Sequence, residues 1–409
     1  MLSVRRIEDY MPIVGKGEVA SILELAERVR GAKVLHINAT AYGGGVAEML
    51  KSLVPLARSV GLNAIWQVLK GEPEFFNVTK KIHNALQGDR SVSLTEAMEN
   101  TYFKVNRINA ESLDLYGDVV VIHDPQPLPL IDYKKGDGHG KWVWRCHIDL
   151  SDPNPSIWQF VRRFVEKYDA LVFSLERYIP RDLRSVKVFI EYPTIDPLSQ
   201  KNAPLRQTDV LKVLERYDVD PDRPIIGQVA RFDPWKNPLG VIDVYRMVKR
   251  KIPDVQLVLI GSFAHDDPEG SAWYRKTLEY AGTDRDIHVL TNLDGVMDLE
   301  VNAFQRSFVA ALQLSIREGF GLSVTEALWK GVPVVATRVG GIPLQVIDGV
   351  TGFLVNSLEE AAEKTTLLIK RPWLARELGQ YGMQHVKLNF LVTKGLKDYL
   401  RMHIELVGI

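Results

Sequence analysis

The chain has 409 residues, 46 % hydrophobic and 25 % charged, with 51 basic side chains balanced by 51 acidic ones. That balance argues against a nucleic-acid partner or an anionic membrane surface, since each favours a surplus of Lys and Arg on one face. The single cysteine, Cys146, excludes an intramolecular disulfide framework and a four-cysteine zinc site, and it suits a reducing, cytoplasmic setting. No apolar run nears the roughly 18 residues of a membrane span, and MLSVRRIEDYM, which meets charge at once, is not expected to be a secretory signal.

Short β-branched runs alternate with amphipathic stretches, the pattern of βαβ units and parallel sheets. Strands are expected at Lys33–Asn38, Ile65–Val68, Val119–His123, Val143–Ile148, Leu171–Phe173 and Val186–Ile190, with helices over Ala47–Val60 and Ile157–Tyr168. Tyr192–Arg206, with three prolines and few apolar residues, reads as a linker. The alternation then restarts, with strands at Ile225–Val229, Val255–Leu259, Ile287–Leu290, Ala310–Leu314 and Val332–Ala336. Helices over Gly240–Lys251, Ala272–Ala281 and Ser323–Lys330 lie among them. Leu358–Lys370, Trp373–Leu388 and Val392–Val407 form a helical tail. The expected architecture is α/β: two Rossmann-like doubly wound domains, 1–197 and 198–389, followed by helical residues 390–409. Ligands in such sheets bind beyond the carboxyl ends of the strands, and a cleft between two such domains is a favoured small-molecule site.

Two pairs of charged residues stand at strand ends. Arg231 follows the strand Ile225–Val229, and Lys236 comes five residues later after a proline-stiffened turn. A guanidinium fork and an ammonium suit a diphosphate; a plain surface loop paired with Asp233 is the other reading. After Ala310–Leu314 comes Ser315-Ile316-Arg317-Glu318-Gly319-Phe320-Gly321-Leu322-Ser323-Val324-Thr325-Glu326. The glycines let backbone approach a ligand, and the amides of a helix N-terminus favour an anion. Glu318 lies before that helix and is suited to sugar hydroxyls. Glu326 admits two readings: a ligand for vicinal hydroxyls, or the third-position partner of Ser323 in a capping box.

In the first half, Gly43, Gly44 and Gly45 form a strand-to-helix junction fit for a phosphate or a sugar. His123, Asp124 and Gln126 end one strand, and Arg145, Cys146, His147 and Asp149 end the next. His147 is a candidate to hydrogen-bond a sugar hydroxyl, or a histidine satisfied by backbone. Cys146 reads as a buried structural thiol. No metal-binding spacing occurs.

Taken together, R-F-D-x-x-K after a strand and the E-x7-E spacing of Glu318 to Glu326 within E-G-F-G-L resemble family 4 of the retaining GT-B glycosyltransferases. The segments NATAYGGGVAEML, HDPQPLPL, WRCHIDLSDPN, RFDPWKNP, AHDDPEG and SIREGFGLSVTEALWKG resemble the trehalose glycosyltransferring synthases. The resemblance implies a nucleoside-diphosphate glucose donor and free glucose as acceptor. It implies that Arg231 and Lys236 hold the diphosphate, Glu318 the donor glucose and Glu326 the ribose. Gly44 and Gly45 would lie beside the phosphates, and Asn292 and Leu293 beside the base. The loop Gly319, Phe320, Gly321 and Leu322 completes the donor site, and His147 lies near the transferred sugar. Asp124, Gln126 and Asp149 are the acceptor candidates. The tail helix Val392–Val407 is implied to return to the first domain. No cofactor is obligatory, Mg2+ is compatible, and a homodimer is compatible. A transferase using another acceptor such as a sugar phosphate, a sugar-nucleotide epimerase and a non-catalytic sensor are the alternatives.

Overall fold

Two six-stranded parallel sheets carry the chain. They are seen in a computed structural model that describes residues 5–42, 44–134, 140–183, 186–263 and 269–408. The described residues between 5 and 194, with 392–408, form one unit, and those between 195 and 391 form the other.

The first unit contains β1 (Lys33–Asn38), β2 (Asn63–Val68), β3 (Val119–His123), β4 (Lys141–Cys146), β5 (Ala170–Phe173) and β6 (Lys187–Ile190), in the order β2-β1-β3-β4-β5-β6. The strand order reverses between β1 and β3. The side chains of β3 and β5 are buried along their whole length, as strands covered on both faces must be. Helices such as Gly45–Ser59 and Pro155–Val165 supply the cover. The latter starts cleanly because Asn154 accepts from the amides of Ser156 and Ile157 and a proline takes the first helical position. Its buried face is Ile157, Trp158, Val161, Phe164 and Val165, a helical stripe. Trp142 and Trp144 are core residues of β4. The C-terminal helix Val392–Val407 is part of this unit, and its Lys397 pairs with Glu18 at 2.7 Å.

The second unit contains β7 (Ile225–Val229), β8 (Gln256–Gly261), β9 (Ile287–Thr291), β10 (Ala310–Gln313), β11 (Val334–Thr337) and β12 (Gly352–Val355), in the order β12-β11-β10-β7-β8-β9. Counted within the unit from the other edge, this is 3-2-1-4-5-6, the order of the dinucleotide-binding fold. Its switch point lies between β7 and β10, which pair through Ile226 and Ala310. Ile226, Val241, Tyr245, Leu257, Leu312 and Val335 lie in its core.

The α/β expectation holds, with local differences that have physical causes. The strand expected at Val143–Ile148 ends at Cys146, because the amide of His147 donates instead to Asp124 Oδ1 at 2.8 Å. The strand expected from Val332 starts at Val334, since Pro333 has no N–H for the ladder. Strand β12 was not expected. It is four residues long and begins with Gly352, where an added Cβ would stand 2.2 Å from the Val334 carbonyl oxygen. The segment Tyr192–Arg206 holds neither helix nor named strand, and the division between units falls inside it. No helix among the described residues is long and apolar enough to cross a membrane.

Candidate active site

At the switch point of the second unit, β7 and β10 deliver their loops side by side. The β7 loop closes into one 3-10 turn, Pro234–Lys236, because Asp233 Oδ1 accepts from the Lys236 amide at 3.0 Å. Asn237 follows in the left-handed conformation and caps the helix Pro238–Lys249. The Ile316 amide donates to the Trp235 carbonyl at 2.7 Å, tying the β10 loop to the β7 loop. Lys236 Nζ then donates to Glu318 Oε2 at 2.6 Å. The same oxygen accepts from Gln313 Nε2 and Ser315 Oγ, each at 3.2 Å. Glu318 is buried, whereas Arg231 keeps about a third of its side chain exposed and stands 3.9 Å from Asp233, too long for a tight pair. The basic pair and Glu318 therefore belong to one connected loop system.

The glycine loop is shaped around Glu318. Gly321 has φ +87°, and a Cβ there would meet Glu318 Cγ at 3.3 Å. Only glycine adopts that conformation freely. The helix Leu322–Trp329 begins at Gly321 with no side-chain cap, so its first amides remain available to a ligand. Gly341 donates to the Gly319 carbonyl, and Gln345 Nε2 donates to the Phe320 carbonyl, holding the loop from behind. Phe320 is buried and packs on Phe390, so its side chain is core and its backbone is what the loop offers. Leu322 is half-buried.

The capping-box reading of Glu326 does not hold. Ser323 Oγ donates to Gln313 Oε1 instead, and Glu326 lies 3.0 Å from Lys201 Nζ. Glu326 is 3 % exposed, and its Oε2 has no hydrogen-bond partner among the described residues. Lys330 Nζ donates to Asn202 Oδ1 at 2.8 Å. Burial pulls its pKa down to about 7 against the opposing pull of Glu326, and Lys201 and Arg306 lower it further. Lys201 and Lys330 were missing from the sequence expectation. Lys201 stands in the irregular linker, where no periodicity marks it. Asn292 and Leu293 form the turn after β9: Asn292 Oδ1 accepts from the Phe263 amide, and Leu293 is exposed.

At the switch point of the first unit, Gly44 and Gly45 begin the helix Gly45–Ser59, again with no side-chain cap. Gly43 lies outside the described residues, as do residues 264–268 of the AHDDPEG segment. Asp124 takes a left-handed backbone, φ 61°, and spends Oδ1 on the His147 amide. Asp149 Oδ1 accepts from the Ser151 amide, and the half-buried Gln126 offers its carbonyl to Asn106. Asp124 thus positions His147, and Asp149 closes a local turn. Arg145 and Glu191 form a buried ion pair. Burial first, then Arg145, pushes the His147 pKa well down. The Cys146 thiol is buried and pushed well up, chiefly by burial. Among the described residues no cluster of three or more His, Cys, Asp or Glu is placed to hold a metal ion.

Residues 36–180 match the family model "Trehalose synthase, N-terminal domain", and residues 212–385 match "Glycosyl transferases group 1". The chain is 54 % identical over 405 residues to the trehalose synthase of Pyrococcus horikoshii, covering 99 % of this chain and 97 % of that protein. It is 48 % identical to the trehalose synthase of Rubrobacter xylanophilus, covering 99 % and 98 %. The sucrose-phosphate synthase of Thermosynechococcus elongatus shares the fold, with a TM-score of 0.71 at 17 % identity, over 92 % of this chain and 99 % of that one. With two Rossmann-like units of GT-B type and these matches along nearly its whole length, the chain belongs to the trehalose synthase family of glycosyltransferases.

Proposed function

We propose that the protein is a retaining hexosyltransferase that forms trehalose from a nucleoside-diphosphate glucose and free glucose. The observation that carries this reading is the Lys236–Glu318 contact beside Arg231 at the switch point of a sheet with dinucleotide strand order. Both relatives are trehalose synthases, which supports the product.

In this reading the diphosphate meets Arg231, Lys236 and the uncapped amides after Gly321. A lysine ammonium has three donors, so Lys236 can keep Glu318 while it binds a phosphate oxygen. Glu318 accepts from hydroxyls of the donor glucose, and Glu326 Oε2 accepts from the ribose. The bond from the anomeric carbon to the diphosphate oxygen breaks. The acceptor hydroxyl bonds to the same face of that carbon, and its proton passes to the leaving phosphate. The two cations stabilise the charge that develops on the leaving oxygen. Among the described residues no carboxylate stands out as a covalent nucleophile, which favours front-face substitution over a glycosyl-enzyme.

The test is direct. The protein is incubated with ADP-, UDP- and GDP-glucose, with and without glucose, and products are resolved by chromatography. Glucose-dependent nucleotide release with a non-reducing disaccharide is expected. An altered sugar nucleotide without release would indicate an epimerase, and binding without turnover a sensor. A product formed only with a sugar phosphate would replace the acceptor.

A further inference from the structure

The first unit holds a line of buried rings that this mechanism does not use. Tyr399, on the C-terminal helix, places its hydroxyl 2.8 Å from His36 Nε2. His36 Nδ1 lies 3.0 Å from His123 Nε2, and His123 Nδ1 lies 3.1 Å from His147 Nε2. His36, His123 and Tyr399 are each 1 % exposed, while His147 is only half-buried. The line runs from the C-terminal helix through β1 and the end of β3 to the residue that follows β4.

We propose that Tyr399, His36 and His123 form a hydrogen-bonded wire that holds His147 in one tautomer, with its proton on Nδ1, as a donor toward a sugar oxygen. The contact with sugar rests on the function proposed above; the wire does not.

Each link needs one donor and one acceptor, and a neutral imidazole carries one of each. Fixing the direction at one end therefore fixes it at every ring. The only hydrogen-bond partner of the Tyr399 hydroxyl among the described residues is His36 Nε2. If Tyr399 accepted from that nitrogen, its own buried hydrogen would be left unmade, a penalty of about tenfold or more. Tyr399 therefore donates, and His36 carries its proton on Nδ1 and donates to His123 Nε2. His123 in turn donates from Nδ1 to His147 Nε2. The last proton sits on His147 Nδ1, the one ring nitrogen of the wire with no protein partner among the described residues.

The wire stays neutral. An imidazolium at His36 or His123 would set N–H against N–H. Burial, and then the charges of neighbouring rings and of Arg145, hold the pKa of His36 near 3 and that of His123 well below its ordinary value. His403, on the same helix as Tyr399, spends its Nδ1 proton on the Tyr399 carbonyl and does not compete. With Nε2 occupied and Nδ1 protonated, His147 has no lone pair to offer. It positions a sugar oxygen and leaves the acceptor proton to the departing phosphate.

Ring-15N histidine spectra of the intact protein test this, with the His147 signal assigned by its loss in His147→Asn. The expected result is the Nδ1–H tautomer at His147; the Nε2–H tautomer would overturn the proposal. Tyr399→Phe keeps the ring and deletes the end donor. It should leave His147 mixed between tautomers and lower kcat by about three- to tenfold with KM little changed. A pure Nδ1–H tautomer in that variant overturns the role of Tyr399. The sugar contact is separable. His147→Asn, whose amide stands where Nδ1–H stood, should retain more kcat than His147→Gln. Full activity in both, with the Nδ1–H tautomer intact in the parent protein, would keep the wire and remove the sugar contact.

Discussion

The two switch points organise polar side chains by opposite means. In the first unit the line of His36, His123 and His147 is neutral, and one ion pair, Arg145–Glu191, is buried beside it. In the second unit the groups are charged and paired, Lys236 with Glu318 and Lys201 with Glu326. Both carboxylates are nearly buried while both lysines keep 18 % of their side chains exposed, so positive charge is left at the rim. Neutral donors of fixed direction suit the hydroxyls of a sugar. Paired charges with exposed cations suit an anion that can join the pair. The difference teaches that each unit carries its own electrostatics, and in the proposed function the neutral line would serve the sugar and the charged pairs the diphosphate.

Acid should break the comparison most strongly. His36 and His403 hold pKa values of about 3 and about 4 when folded, both depressed by burial. The unfolded chain binds their protons first, so this stability is full above pH ~6.5 and is lost as pH falls toward 3. For His36 alone the loss is on the order of 5 kcal/mol. Hydrogen exchange should show β1 and β3 losing protection on mild acidification. The second unit answers at the other end. Lys330, depressed to about 7, makes its stability rise as pH climbs from about 7 toward the ordinary lysine value.

Arg231→Ala comes next. It should lower kcat on the order of 10²-fold by removing a donor to the leaving group, as read from nucleotide release at saturating donor. A smaller effect is expected from Gly321→Ala. The left-handed backbone should cost about 1–2 kcal/mol, seen as a lower denaturation midpoint. The added Cβ presses on Glu318, so kcat should fall as well. Smallest is Glu326→Gln, which keeps shape but weakens the hold on Lys201 and, in the proposed function, on the ribose. KM for the donor should rise about tenfold, the worth of one charge-assisted hydrogen bond, with kcat within about twofold of the parent.

Strands β1, β3 and β7 were legible to the residue because each is a short run rich in Val, Ile or Leu. The placement of Arg231, Lys236 and Glu318 on neighbouring loops was legible because each follows a strand end. Strand β12 was hidden by its opening glycine, which the sequence treats as a breaker and the sheet requires. The Glu326 partner was hidden because Lys201 lies in an irregular segment. The histidine line was hidden for another reason. His36 sits inside a strand whose pattern marks only burial, and its partner Tyr399 is 363 residues away, a separation that no local pattern bridges.

The central claim is that Lys236, held by Glu318, stabilises the departing diphosphate. The direct measurement is kcat of Lys236→Gln, from glucose-dependent nucleotide release at saturating nucleoside-diphosphate glucose. A drop on the order of 10²-fold or more, with trehalose still the product, is predicted. A rate within about threefold of the parent enzyme, less than the loss of any such donor costs, would contradict it.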